Sequence, residues 1–187
     1  MTFHAYIDES EPSGRVTYRL SCALVDKSVA ADARAVLVGA RRAGERKVHW
    51  HDRTRAAQLP LVRLVADLPV LHLLVVRDDH VAEPGERRRR KCLGHLLWLL
   101  DDSYGVHHAV LEARQSKQNA NDLQLLQAMR AARRVGAALR MHHVPGPQEP
   151  LLWIPDIVAG AFNAGRAGDA EVYAPIAELI DVRHTPA

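Results

Sequence analysis

The chain has 187 residues and a mass of 20.8 kDa, and its 48% hydrophobic and 25% charged content is that of a globular domain, which excludes intrinsic disorder. No apolar run approaches the roughly 18 residues of a membrane span, and no basic segment followed by an apolar one opens the chain. We therefore expect one cytoplasmic domain, residues 1–187, with no membrane partner. Cys22 and Cys92 provide neither a disulfide framework nor a cysteine-based zinc site, and we interpret both as core residues.

The net charge of +3 is small, but the charged residues are unevenly distributed. Residues 41–55 carry six basic and two acidic side chains, residues 87–91 are five consecutive basic residues, and residues 149–187 carry six acidic and two basic ones. Basic patches in one region and carboxylates in another suit a phosphate-rich partner that approaches a metal site. The alternative is that each run is a solvated helix face.

The predicted elements, taken in chain order, favour an α/β fold. A hairpin comes first, with strands at 3–8 and 15–25 and a turn at 10–14. A helix at 29–42 and a short extended stretch at 47–51 follow. Further helices are predicted at 53–66, 84–102, 122–134 and 154–165, with a short one near 175. Further strands are predicted at 69–76, 106–113 and 138–144. This order predicts a mixed sheet with helices on both faces.

Acidic residues at element ends are the candidate metal ligands. Asp8 and Glu9 end the first strand, Glu112 ends the strand at 106–113, and Asp156 lies in the first turn of the last long helix. Burying such carboxylates costs several kcal/mol unless they are paired or metal-bound. If the two strands are parallel neighbours, as we predict, the acids meet at one edge of the sheet. A pair of Mg²⁺ or Mn²⁺ ions there would offset their repulsion and activate water for phosphodiester hydrolysis. Each acid alone is equally compatible with a cap, a turn or a surface position.

Histidines provide a different interpretation. His49 and His51 alternate in the predicted extended stretch, which would put both imidazoles on one face, a spacing also found in zinc hydrolases. A catalytic zinc site needs three protein ligands and an open position, and only two can be placed. We therefore favour His49 as a neighbour of the carboxylates, and a zinc hydrolase stays an alternative.

Two polar or basic segments are candidate phosphate contacts. The first is the basic run at the start of a predicted helix, with Arg87, Arg88, Arg89 and Arg90. The second is a predicted loop after Glu112, which contains Gln115, Lys117, Asn119 and Asn121. We expect Lys117 and the four arginines to contact phosphates, and a solvated loop is the alternative for the second segment.

Four segments, in the same order along the chain, resemble a known bacterial family. Residues 6–10 (Tyr-Ile-Asp-Glu-Ser) resemble the strand followed by Asp-Glu-Ser-Gly that opens domain-of-unknown-function family 3800. Residues 47–50 (Lys-Val-His-Trp) look like its short histidine-containing segment. Residues 151–160 are similar to its closing helix, Leu-Leu-Gln-x-Ala-Asp-x-x-Ala-Gly. Glu112 occupies the place where the family has a strand that ends in an acid.

The resemblance implies a ribonuclease H-like fold in which Asp8, Glu112 and Asp156 bind metal. Combined with the chemistry of the residues, it predicts a nuclease that uses two Mg²⁺ or Mn²⁺ ions to cut RNA or DNA. Its catalytic residues would be Asp8, Glu9, Glu112, Asp156 and His49.

Departures from the family pattern favour an alternative of another class. Glu11 stands where the family has glycine, Trp153 where it has glutamine and Pro155 where it has alanine, and Glu112 replaces the usual aspartate. The alternative is a catalytically degenerate ribonuclease H-like module that binds nucleic acid or a protein partner.

Overall fold

A computed structural model describes residues 2–10, 17–78 and 83–186, so the predicted turn at 10–14 lies, after Ser10, outside the described residues. The strands are β1 (Phe3–Ser10), β2 (Thr17–Asp26), β3 (Val70–Asp78), β4 (His108–Glu112), β5 (Arg140–Val144) and β6 (Ile180–His184). The helices are α1 (Ala30–Gly39), α2 (Arg55–Ala66), α3 (Gly85–Asp102), α4 (Ser116–Ala131), α5 (Trp153–Arg166) and α6 (Ala170–Tyr173).

The strands form one mixed sheet in the order β5-β4-β1-β2-β3-β6. β2 is antiparallel to β1 and β3, whereas β4 is parallel to β1 and β5, and β6 is parallel to β3. The predicted α/β class and mixed sheet are confirmed, as is the parallel pairing of the first strand with the strand at 106–113. This six-stranded sheet, flanked by helices, is compatible with a ribonuclease H-like α/β fold.

Helices cover both faces of the sheet. α3 and α4 pack on one face and form the α3–α4 layer, whereas α1, α2 and α5 pack on the other and form the α5 layer. Side chains of β1 alternate between these layers, so Ala5 and Ile7 face the α3–α4 layer and Tyr6 faces the α5 layer. α5 buries an apolar stripe with the predicted helical spacing, because Ile154, Ile157, Val158 and Ala161 are at most 1% exposed.

Three predicted elements differ from the structure. α4 begins at Ser116 rather than near 122, so the predicted loop at 115–121 is wrong. Gln118 Oε1 accepts a hydrogen bond from the Gln115 N–H at 3.3 Å and caps the helix. The stretch at 47–51 ends in a 3₁₀ turn at Trp50–Asp52. Near residue 175, where a short helix is predicted, the chain forms a 3₁₀ turn at Ala177–Leu179 after α6, and β6 follows as an edge strand that the sequence pattern missed. No helix in the described part of the chain is both long and apolar enough to cross a membrane.

Candidate carboxylate site

Four acidic residues line one pocket of about 310 Å³ at the edge of the sheet where β1 and β4 end, and three of them are the predicted metal ligands. Ile7 pairs with Leu111 in the parallel ladder, so the next residues along both strands, Asp8 and Glu112, lie side by side. α5 packs across β1 and β2 and brings Asp156, in its first turn, to the same pocket. The structure thus brings together the three acids that the sequence predicts as metal ligands, and His49 lines the pocket with them.

Asp8 shows the electrostatic cost of this convergence. Its Oδ1 accepts a hydrogen bond from the backbone N–H of Glu9 at 2.8 Å. Desolvation, and then the charges of Asp156 and Glu112, raise the pKa of Asp8 from 3.8 to about 8. The ionised carboxylates therefore repel one another, and a cation in the pocket stabilises them.

Lys47, from the segment between α1 and α2, places one cation beside these acids. Its Nζ lies 2.7 Å from Glu112 Oε1. Desolvation lowers the pKa of Lys47, but the hydrogen bond to Glu112 and the charges of Glu112, Asp8 and Asp156 outweigh it, so the pKa lies above its ordinary value. A methyl group at Gly146 would overlap the Glu112 carboxylate, so this carboxylate can keep its present position only when residue 146 is glycine.

His49 is held in the pocket by Asp156. Its Nδ1 lies 2.8 Å from Asp156 Oδ2, and the backbone N–H of Trp50 donates to the same oxygen at 2.9 Å. The hydrogen bond to Asp156 is the main cause that raises the pKa of His49. Trp50 is itself buried against Gly160, where any Cβ would overlap the indole ring. The close approach of α5 to Trp50 therefore fixes the backbone that carries His49.

The residues of the zinc alternative are present but do not complete a ligand set. The rings of His49 and His51 lie 5.6 Å apart in an edge-to-face arrangement, and both residues line the pocket. Across residues 2–10, 17–78 and 83–186, no group of three or more His, Cys, Asp or Glu side chains is arranged to hold a metal ion as it stands.

The same finding bears on the three carboxylates. Their oxygen atoms are the donors that Mg²⁺ and Mn²⁺ prefer, and their mutual repulsion calls for a cation. As they stand, however, Glu112 is engaged by Lys47 and Asp156 by His49. The donor chemistry fits a divalent cation, and a cation bound by Glu112 Oε1 would have to displace Lys47.

Glu9 faces the α3–α4 layer, because successive residues of a strand point to opposite faces. Its Oε2 accepts hydrogen bonds from the Tyr18 hydroxyl at 2.8 Å and from Arg89 Nε at 2.5 Å. Arg89 also donates to the buried Asp122, and His143 Nε2 lies 2.9 Å from that carboxylate. Glu9 and Arg89 line the margin of the pocket, and a catalytic role for Glu9 stays a prediction.

The predicted phosphate contacts do not form one continuous surface. Arg87 and Arg90 are exposed on α3, whereas Arg88 and Arg89 are buried at 8% and 3% exposure. Lys117 is exposed in the first turn of α4. Their contact with phosphates stays a prediction.

Two basic residues of the pocket were not predicted as site residues from the sequence. Lys47 lies two residues before His49, in the segment whose resemblance to family 3800 is predicted. Its spacing from His49 was the one feature of the sequence that could have indicated its place in the pocket. Arg114 lies two residues after Glu112, lines the pocket and donates from Nη1 to Glu86 at 2.6 Å.

No protein-family model, curated protein or solved structure matches the chain. The resemblance to family 3800 stays a prediction, and the function has to be argued from the site.

Proposed function

We propose that the chain is a Mg²⁺- or Mn²⁺-dependent nuclease that hydrolyses phosphodiester bonds in RNA or DNA. The observation that supports this proposal is the meeting of Asp8, Glu112 and Asp156, from β1, β4 and α5, in one pocket. Carboxylates placed together in this way disfavour folding, and such arrangements cluster at functional sites. The resemblance to family 3800 suggests the same three residues.

The three carboxylates would hold the metal, with two ions expected. A bound pair of ions would supply an activated water and stabilise the leaving oxygen of the phosphodiester. His49 would handle a proton in the pocket, because Asp156 engages Nδ1 and leaves Nε2 for the reacting groups. Lys47 neutralises Glu112, and if a bound metal took over that charge, the ammonium would be available to a phosphate oxygen.

The second candidate is a catalytically degenerate module that binds nucleic acid or a protein partner. The ion pair of Lys47 with Glu112 favours it, because a built-in ammonium is able to neutralise the acids permanently. The substitutions at Trp153 and Pro155 relative to the family pattern point the same way.

Calorimetric titration with Mn²⁺, combined with cleavage assays on labelled RNA and DNA, distinguishes the two candidates. A nuclease binds Mn²⁺ and cuts at least one substrate, EDTA abolishes the cleavage, and Glu112→Gln loses both properties. Asp67→Asn, an exposed acid at the end of α2, is the matched control and should behave as wild type. Absence of Mn²⁺ binding and of cleavage, with oligonucleotide binding retained, would overturn the nuclease and support the degenerate module.

A further inference from the structure

The surface between α3 and α4 is strongly basic. Two adjoining hollows share His95 and Arg134, and we call their polar lining the α3–α4 groove. The groove is defined by Arg87, Arg90, His95, Trp98, Arg133 and Arg134. Asp101 and Asp102 also line one hollow, but the Asp101 carboxylate is engaged by the Gly136 N–H at 2.7 Å.

Among the described residues, most of the groove's arginines have no acidic partner. Arg90, Arg133 and Arg134 are exposed, and none of them forms an ion pair within the described residues. Arg87 approaches Glu83 at 3.3 Å and is itself 67% exposed. Basic side chains therefore outnumber the two acids, Asp101 and Asp102, in the lining of the two hollows, which suits an anionic partner.

An exposed aromatic ring lies among these charges. Trp98 is 37% exposed, whereas Trp50 and Trp153 are 5% and 1% exposed. The His95 ring stacks with Trp98, with centroids 5.7 Å apart and planes 24° apart, and this contact orients the indole one turn along α3. An oriented tryptophan beside arginines is the arrangement on which proteins stack the bases of single-stranded nucleic acid.

Arg133 occupies a backbone position that glycine fills more easily. Its φ of +55° is left-handed, and the Arg134 N–H donates to the Met129 carbonyl at 2.8 Å in the turn that ends α4. Glycine adopts this conformation without the steric cost that arginine pays. Arginine is strained at this position, and in contrast to glycine it adds a positive charge to the groove.

We propose that the α3–α4 groove binds a single-stranded segment of nucleic acid, with its arginines on the phosphates and Trp98 stacked on a base. The proposal rests on the proposed function for the presence of a nucleic-acid substrate. The groove lies in the α3–α4 layer, whereas Asp156 belongs to the α5 layer, so the groove is a second binding site. It holds a part of the strand that the carboxylate pocket does not reach.

Binding is measured in EDTA, which separates it from metal-dependent cleavage. The probes are a labelled oligothymidylate 20-mer, followed by anisotropy, and intrinsic tryptophan fluorescence. Saturation should quench the fluorescence of Trp98, and Trp98→Ala should remove this quenching and weaken binding about tenfold. Arg133→Gly should weaken binding severalfold while raising the melting temperature, because glycine relieves the strain. Arg63→Ala, an exposed arginine of α2 in the opposite layer, should bind as wild type.

Unchanged Trp98 fluorescence at saturation, or equal binding by Arg133→Gly and wild type, would overturn the groove. Competition by polyglutamate as strong as that by the oligonucleotide would also overturn it, in favour of an acidic protein partner. Groove binding in EDTA without any cleavage in Mn²⁺ would overturn the nuclease alone. Cleavage with binding that no groove variant affects would overturn the groove alone.

Discussion

The Lys47 ammonium and the Glu112 carboxylate form an ion pair 2.7 Å long in the pocket that also contains Asp8 and Asp156. The two side chains are only 24% and 22% exposed, so water screens the pair less than it screens a surface ion pair. An ammonium and a divalent cation compete for the same carboxylate charge. If the pocket binds metal as proposed, its affinity should therefore depend on how readily Lys47 leaves.

Lys47→Met tests this competition. Without metal, we expect the variant to lose about 1–2 kcal/mol of stability, because Glu112 is left unpaired beside two other acids. Added Mn²⁺ should then raise its melting temperature by more than it raises that of wild type, since no ammonium has to be displaced. Thermal unfolding with and without Mn²⁺ measures both effects, with Lys27→Met, an exposed lysine, as the control. Equal Mn²⁺ shifts in wild type and Lys47→Met would contradict the competition.

Asp8→Asn separates chemistry from folding. The amide keeps the shape of the side chain but removes a charged ligand, so Mn²⁺-dependent cleavage should be lost. It also removes repulsion with Asp156 and Glu112, so the metal-free melting temperature should be equal to that of wild type or higher. Loss of both activity and stability would instead mean that Asp8 is structural. Full activity would remove it from the mechanism.

His72 makes stability depend on pH. It is 2% exposed, and neither ring nitrogen has a hydrogen-bond partner among the described residues. Desolvation lowers its pKa from 6.5 to about 4, so between these values the unfolded chain binds the proton more readily than the folded one. The contribution of neutral His72 to the free energy of unfolding is therefore fully present above pH 6.5. It is lost as the pH falls towards 4, and the total loss is about 3 kcal/mol.

His72→Leu should consequently be more stable than wild type and lose less stability between pH 7 and pH 5. Urea unfolding at both pH values measures the difference. His107→Leu, at an exposed histidine, should retain the wild-type pH dependence. The same pH dependence in wild type and His72→Leu would show that His72 does not cause it.

Gly160→Ala should disturb the site through Trp50. The added methyl group overlaps the indole ring, so we expect a loss of about 1–3 kcal/mol and a displaced Trp50 backbone. Because His49 directly precedes Trp50, this displacement should draw the His49 ring away from Asp156, and the pKa of His49 should fall, which NMR titration reports. Gly39→Ala is the control, since a methyl group there meets no atom within 4 Å. Wild-type stability of Gly160→Ala would exclude the close packing of Trp50.

Salt should weaken oligonucleotide binding steeply. If Arg87, Arg90, Arg133 and Arg134 each contact a phosphate of a single strand, the plot of log affinity against log salt has a slope of about −3. Arg134→Ala should make this slope less negative by about 0.7. Anisotropy at a series of NaCl concentrations measures it. A flat response would mean that these arginines form only a solvated surface.

The sequence predicts the sheet better than the boundaries of its helices. The apolar period predicted α5, and the end-of-strand positions of Asp8 and Glu112 were the reason to predict the parallel pairing of β1 with β4. The start of α4 was missed because residues 116–121 are polar and have no apolar period, although the Gln115 and Gln118 capping pair was a signal. β6, a strand of five residues at the edge of the sheet, was also missed.

Long-range electrostatics explain what the sequence could not show about the site. Lys47 and Glu112 lie 65 residues apart, and no local pattern indicates that they pair. The position of Glu9, by contrast, follows from the two-residue period of a strand. Neighbouring acids on β1 point to opposite faces of the sheet, so Asp8 turns to the α5 layer and Glu9 to the α3–α4 layer, although both contribute to the lining of the pocket.

Asp8 and Glu9, at the end of β1, point to opposite faces of the sheet, so the position of each acid depends on the number of residues in this strand. Asp8 belongs to the carboxylate pocket, and Glu9 belongs to the network of Arg89 and Asp122 on the other face. Inserting or deleting one residue in β1 would turn each later side chain to the opposite face of the sheet. Asp8 would then face the α3–α4 layer and Glu9 the α5 layer. We therefore expect a one-residue insertion or deletion in β1 before Asp8 to disturb the site more than an apolar substitution that keeps the length of the strand.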